Sequence, residues 1–336
     1  MTDLSASLPA VDTGPLKRAA RWRPAEFVFW LLPVAGWFLF PDDLALLTQI
    51  AITALFALSL DLVLGYAGMI TLGHAAFFGL GAYAAGMMPA YLGLGDPLLG
   101  LLAAAVVAGL GGFGTSFLVL RGAGLTRLMV TVGIGMMLYE AANKASSFTG
   151  GVDGLPGVEI APVLGLFEFD LYGQTAYVYA MVVLFGMFLI ARRIVMSPFG
   201  LSLKAIHQND TRMPALGVSV NSRLRVAWTL GAVFAGVAGA LLTQTTQFVA
   251  LDVLGFSRSA EVLLILILGG AGRLYGALVG TIAFLLLHHV LADLDPEYWQ
   301  LWIGLILIGV VLFARDGILG GLSRLGARLH LRRARP

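Results

Sequence analysis

Few of the side chains that could move protons, hold ions or break bonds fall within the long apolar stretches of this sequence. Asp61, Glu140 and Glu261 do, with Arg127 close to the other end of the stretch that holds Glu140. A carboxylate among apolar residues of a membrane span marks a proton or ion site, or one half of a polar pair. Asp61 lies near the end of its stretch, where it either pairs with a basic group or caps the glycine turn that follows. Glu140 and Glu261 lie near the other ends of theirs, where water is close. His288 and His289 are a candidate proton site, but adjacent helical positions point about 100° apart, so the two do not readily share one metal. A hydrogen-bonded histidine near a helix end is the simpler reading. The other histidines, His74, His207 and His330, complete no H-E-x-x-H pattern, and no G-x-S-x-G is present. None of the lysines (Lys17, Lys144, Lys204) follows a glycine, so the chain lacks the phosphate-binding loop with which ATPases hold nucleotide. Cysteine is absent, which removes disulfides and thiolate metal sites. The sequence is expected to carry no catalytic residue, no metal site and no cofactor, and not to be an enzyme.

The elements that hold these residues are spans. Of the 336 residues 59% are hydrophobic and 12% charged, against about 25% charged in a soluble domain. The mean hydropathy of +0.89 makes this an integral membrane protein. Apolar runs between polar breaks predict ten crossings, near 25–40, 45–64, 73–92, 98–119, 124–144, 173–191, 226–246, 259–271, 274–292 and 298–314, of which the first and eighth are short. The expected fold is all-α, a polytopic transmembrane helical bundle. The polar first 26 residues, with Lys17, Arg18, Arg21 and Arg23, are not followed by a small-residue cleavage site, so no cleavable signal is expected. With the N-terminus inside, every Lys and Arg except Lys144 and Arg258 falls on the inner side, while Asp153, Glu159, Glu168, Asp170, Asp293, Asp295 and Glu297 fall outside. Dropping one crossing would put most of the downstream basic residues on the wrong side. The chain is thereby divided into a cytoplasmic tail (1–24), a transmembrane domain (25–314) with a cytoplasmic loop at 192–225, and a basic cytoplasmic tail (315–336). Arg324, Arg328, Arg332, Arg333 and Arg335 in the last tail suit contact with anionic lipid of the bilayer. Nothing suggests nucleic acid.

Two features stand out within this path. The loop 192–225 holds Arg192, Arg193, Lys204, Arg212, Arg223 and Arg225 but only one acid, Asp210. A loop of this length and helical content offers the inner face to a cytoplasmic partner, or is a plain positive connector. The second feature is glycine. Gly65, Gly68 and Gly73 permit a helix break, and polar Thr71 and His74 sit within the same stretch. Gly269, Gly270 and Gly272 form a second cluster. A broken helix points to a transport path, whereas small residues at helical spacing point to close helix contacts; both readings fit. Leu64-Gly65-Tyr66-Ala67-Gly68 and Leu268-Gly269-Gly270-Ala271-Gly272 align without gaps, which suggests a parallel internal repeat. The outer segment Thr149-Gly150-Gly151-Val152-Asp153-Gly154-Leu155 is turn-rich.

Taken in order, four stretches resemble the LivM-type permease subunit of bacterial branched-chain amino acid ABC importers, over residues 45–320. They are Gly65-Tyr66-Ala67-Gly68 with Leu72 to Tyr83; Thr149 to Leu155; Ser197 to Ile206 through Ala215-Leu216-Gly217; and Leu268 to Gly272 with Leu274-Tyr275-Gly276. The resemblance implies that Asn209, Asp210, Thr211, Arg212, Met213, Pro214, Ala215, Leu216 and Gly217 form a short coupling helix that docks in a groove of an ATPase. The wider ABC pattern places Glu-Ala-Ala four residues before the loop glycine; this chain has Thr211-Arg212-Met213 and then Pro214. Pro214 should keep the helix short and Gly217 should end it in a left-handed turn. Further implied partners are a second permease, two cytoplasmic ATPases that bind the ATP, and an extracytoplasmic binding protein. The implied location is a bacterial inner membrane with both termini cytoplasmic, and the implied cargo is Leu, Ile, Val or a related amino acid, amide or urea. The rival reading is a proton- or sodium-coupled carrier that uses Asp61, Glu140 or His288.

Overall fold

The computed structural model describes residues 24–155, 157–170, 173–313 and 317–321. The first 23 residues and the basic cluster from Arg324 onward lie outside them. The elements are α1 (Pro24–Leu39), α2 (Leu44–Leu60) running on into a π-helical turn (Asp61–Tyr66), α3 (Ala75–Leu92), α4 (Pro97–Val119), α5 (Leu125–Lys144), α6 (Gln174–Val195), α7 (Pro198–Gln208), α8 (Val220–Thr246), α9 (Phe256–Gly269), α10 (Leu274–Leu294) and α11 (Trp299–Phe313). Among the described residues the only strand pairing is a single bridge, Val163 with Phe167. Every expected apolar segment is a helix, and α7 lies in the polar loop. Seven spans have the length and hydropathy of a full crossing. The exceptions are α1, α9 and α11, with 16, 14 and 15 residues. At 1.5 Å per residue they reach only about 21–24 Å, against a hydrocarbon core of about 30 Å.

Helix ends follow local chemistry. Asp96 caps α4: its Oδ1 accepts the N–H of Leu98 at 2.8 Å and of Leu99 at 3.3 Å, and Pro97 occupies the first helical position, where a missing N–H costs nothing. α3 closes on Gly93 in the left-handed conformation. The two basic residues expected on the acidic side, Lys144 and Arg258, sit beside acids: Lys144 by Glu140 (3.8 Å), and Arg258 by Asp252 (3.6 Å) and Glu261 (3.5 Å). His289 faces Asp293 at 3.7 Å, and His288 stands edge-on to Trp299.

α2 and α8 form the centre, with 72% of each span buried. α8 packs on α2, α3 and α4 through small residues. A Cβ on Gly81 of α3 would strike the backbone of Gly236, and one on Gly239 of α8 would strike the carbonyl of Phe78. Apolar lipid tails give helices no hydrophobic reason to associate, so close backbone approach supplies the van der Waals contact that does. At one end of the bundle, Arg192 of α6 and Tyr275 of α10 both bond to Oε2 of Glu26, which ties α1 to α6 and α10. At the opposite end Gln244 in the last turn of α8 accepts from Tyr179 Oη (2.8 Å) and donates to the carbonyl of Pro97 (2.7 Å).

Candidate functional site

The two glycine clusters, about 200 residues apart in sequence, meet in space. The π-helical turn ends α2 and brings Gly65 against Gly272, so that a Cβ on Gly65 would collide with the Asp61 carboxylate and the Gly272 backbone nitrogen. Asp61 is fully buried. Its Oδ1 accepts the Gly272 N–H at 2.6 Å, and its Oδ2 is buried without a hydrogen-bond partner. Of the two structural readings the sequence allows for Asp61, this is the glycine-turn cap, although the turn it caps is the distant one. Gly68 (φ 70°) and Gly272 (φ 77°) occupy equivalent positions of the aligned pentapeptides and are both left-handed. The chain then diverges: α3 restarts only at Ala75, while α10 restarts at once at Leu274. The similarity of the two turns therefore does not extend to the segments that follow.

The polar loop rests on this junction. Its regular helix is α7, which begins with Ser197 as cap and Pro198 at the first position; Ser197 Oγ accepts the Gly200 N–H. Leu203 and Ile206, three apart, are buried, which seats α7 against the bundle. On the same side His207 Nδ1 donates to the Gly65 carbonyl at 3.1 Å and its ring lies over Gly68, while Lys204 Nζ sits 5.1 Å from the centre of the Tyr66 ring. The segment Asn209–Gly217, expected to be a short helix, is mostly turn. Asn209 leaves the helical region (φ −161°, ψ 97°), and its Oδ1 accepts from the Arg212 N–H and the Thr211 hydroxyl, an Asx-type turn that competes with helix. One 3₁₀ turn follows, Pro214–Leu216, closed by left-handed Gly217. Met213 anchors the segment in the bundle, whereas Asp210, Arg212, Ala215 and Leu216 are exposed.

Beyond Gly68 the backbone is irregular as far as His74. Thr71 and His74 are fully buried. Ser59 donates to the Phe56 carbonyl and accepts from His74 Nε2 at 2.9 Å, and the His74 ring stacks on Phe56. His74 is thus held as a packed core group. The depth of this segment follows from its neighbours. Ala75 N–H, at the start of α3, donates to Ser259 Oγ near the start of α9 (2.9 Å). Ten residues of α9 separate Ser259 from the glycine junction, a rise of about 15 Å, or half the hydrocarbon thickness. α3 and α9 therefore begin level with one another, well inside the bundle from the glycine junction. Gly73 is in backbone contact with Thr131 of α5, and the Leu72 N–H reaches Thr131 Oγ1 at 3.4 Å. Beside this contact lies a cavity of about 500 Å³, walled by Leu72, Gly73, Val132, Met136, Tyr139, Glu140, Leu254 and Ser259 among others. Of the glycines, threonine and histidine expected at a helix break, Gly73 alone borders this cavity; Gly65, Gly269, Gly270 and Gly272 serve close backbone packing. Ser59, Thr131, Ser259 and the contacts of His207 were not singled out by the sequence.

The family model described as the permease component of branched-chain amino acid transport systems matches residues 44–311. The LivM high-affinity branched-chain amino acid transport system permease protein of Escherichia coli (strain K12) is 28% identical over 303 residues, covering 82% of this chain and 69% of the relative. Its Salmonella typhimurium counterpart is 27% identical over 343 residues, covering 93% and 77%. The BraD permease protein of Pseudomonas aeruginosa is 27% identical over 292 residues, covering 80% and 91%. No solved structure matches the chain.

Proposed function

The chain belongs to the permease-component family of branched-chain amino acid transport systems, and we propose that it forms one half of the membrane passage of an ATP-driven importer. The carrying observation is the polar loop seated on the glycine junction, with His207 bonded to Gly65. In this reading two ATPases bind ATP, close, and displace the exposed turn Asn209–Gly217. α7 passes that displacement to the end of α2 through His207 and Lys204. Asp61 links the end of α2 to the start of α10, so both glycine-marked turns shift together. The access of the passage then changes from one face to the other. A second permease supplies the other half, a binding protein delivers a branched-chain or related amino acid from outside, and both termini face the cytoplasm. The chain itself breaks no bond and binds no nucleotide. The ion-coupled alternative gains no support from Asp61, which packs against Gly272 and does not border the cavity at α5.

Purification of the tagged chain from its native membrane in mild detergent, followed by mass spectrometry, tests the assembly. Co-purification of a phosphate-loop ATPase and a second permease is expected. A chain that comes out alone and transports in proteoliposomes without ATP would overturn the reading.

A further inference from the structure

α5 is the least buried of the seven full spans, at 11%, and shares the lowest hydropathy among them. The next least buried, α4, is 28% buried and much more apolar. Its outward side chains include Leu102, Val106, Leu110, Phe113 and Phe117, a surface suited to lipid tails. α5 departs from this pattern. Only Thr131 is buried along it, yet it carries Thr126, Arg127, Glu140, Asn143 and Lys144. These polar residues lie in its first and last turns, but a span this uncovered and this much less apolar than α4 is poorly suited to lipid tails, so its open face suits water or protein. A second, independent observation says which. The cavity beside α5 is bordered by the irregular backbone at Leu72–Gly73 and by Gly255, which follows a 3₁₀ turn ending at Leu254. Irregular backbone among membrane spans is tolerated where it is buried in protein or lines a water-filled cavity.

We propose that the α5 face bearing Val132, Met136, Tyr139 and Glu140, opposite Gly73 and Ser259, is the part of this subunit that touches the permeating solute. This rests on the permease reading above and supplies the solute-contacting residues. The chemistry of the wall fits an amino acid with an apolar side chain. Leu72, Val132, Met136 and Leu254 offer an apolar surface, and Glu140, half exposed and 3.8 Å from Lys144, offers a carboxylate to an ammonium group. A volume of about 500 Å³ lies within the usual ≈ 300–1,000 Å³ of small-molecule sites.

The absence of cysteine makes the test direct, since a single introduced thiol is the only one in the chain. Met136→Cys and, as a lipid-facing control, Leu110→Cys are made in the full complex in native membranes; both positions are exposed in the subunit (61% and 68%). A membrane-impermeant cationic methanethiosulfonate is applied to both faces, with and without L-leucine. Thiolate forms only in contact with water, so Met136→Cys is expected to label at least about tenfold faster than Leu110→Cys, and L-leucine is expected to slow it. Tyr139→Cys, one turn away, replaces Met136→Cys if the latter does not assemble. Equal, slow labelling of all three positions would overturn the proposal. Fast labelling unaffected by L-leucine would overturn the solute class. Fast, leucine-protected labelling in a complex whose uptake ignores ATP would keep the passage and remove the ATP-driven reading; slow labelling with ATP-driven uptake intact would do the reverse.

Discussion

Gly65→Ala adds one methyl group at the point where the two glycine turns meet, and its effect can be worked from the contacts. The added Cβ overlaps the Asp61 carboxylate and the Gly272 backbone nitrogen. Neither can give way easily, because Asp61 Oδ1 is bonded to that same nitrogen at 2.6 Å. Overpacking of this kind costs about 1–3 kcal/mol. Loss of the Asp61–Gly272 hydrogen bond adds about 0.5–1.5 kcal/mol. Against this, alanine is favoured over glycine within a helix by about 1 kcal/mol. The net is a destabilisation of about 1–3 kcal/mol. Gly114→Ala in α4 is the matched control: nothing lies within 4 Å of the Cβ it would add, so only the helical gain remains. The same methyl group thus has opposite signs at the two positions. The assay is the thermal midpoint of the purified complex in detergent, where a difference of several degrees is expected. If Gly65→Ala raised the midpoint as Gly114→Ala does, the close approach of the two glycine turns would be refuted.

Four further outcomes follow from named contacts. Tyr179→Phe leaves the buried Gln244 Oε1 without its donor and should cost about 1–3 kcal/mol; the thermal midpoint should fall, and fall less from a Gln244→Leu background, where that oxygen is absent. Glu26→Ala removes the carboxylate that pairs with Arg192, whose side chain is 9% exposed. Loss of one partner from a buried pair costs about 3–5 kcal/mol, so limited proteolysis should show α1 released from α6 at a lower temperature than in the parent. His207→Ala removes the bond between α7 and the Gly65 carbonyl. ATP hydrolysis should persist while solute moved per ATP falls, and an unchanged ratio would show that the contact transmits nothing. Asp61→Asn keeps an oxygen that can accept the Gly272 N–H, so ATP-driven uptake should stay near the parent level; its abolition would revive an ion-coupled role for the carboxylate.

The helices were legible because apolar run length is a direct record of a span, and α2 to α6, α8 and α10 lie where the runs place them. Depth was not legible. Hydropathy reports that residues 73–92 and 259–271 are apolar, but not that α3 and α9 start level with one another; that follows from the Ala75–Ser259 bond between residues far apart in sequence. In the loop, the left-handed Gly217 was readable from residue type and is present. The regular helix nonetheless lies upstream, over Pro198–Gln208, because Asn209 draws the following backbone into a turn with its own side chain. The glycines announced close packing or a break without saying which. Only the meeting of Gly65 with Gly272 and of Gly73 with Thr131 separates the two uses.

The central claim is that this permease works by ATP-driven coupling through the loop on the glycine junction. Its most direct test is uptake of labelled L-leucine into proteoliposomes holding the complete complex and its binding protein, with ATP inside, with a non-hydrolysable analogue inside, and with a proton or sodium gradient alone. Uptake with hydrolysable ATP and not under the other two conditions is the predicted result. Uptake driven by an ion gradient without ATP would contradict the account.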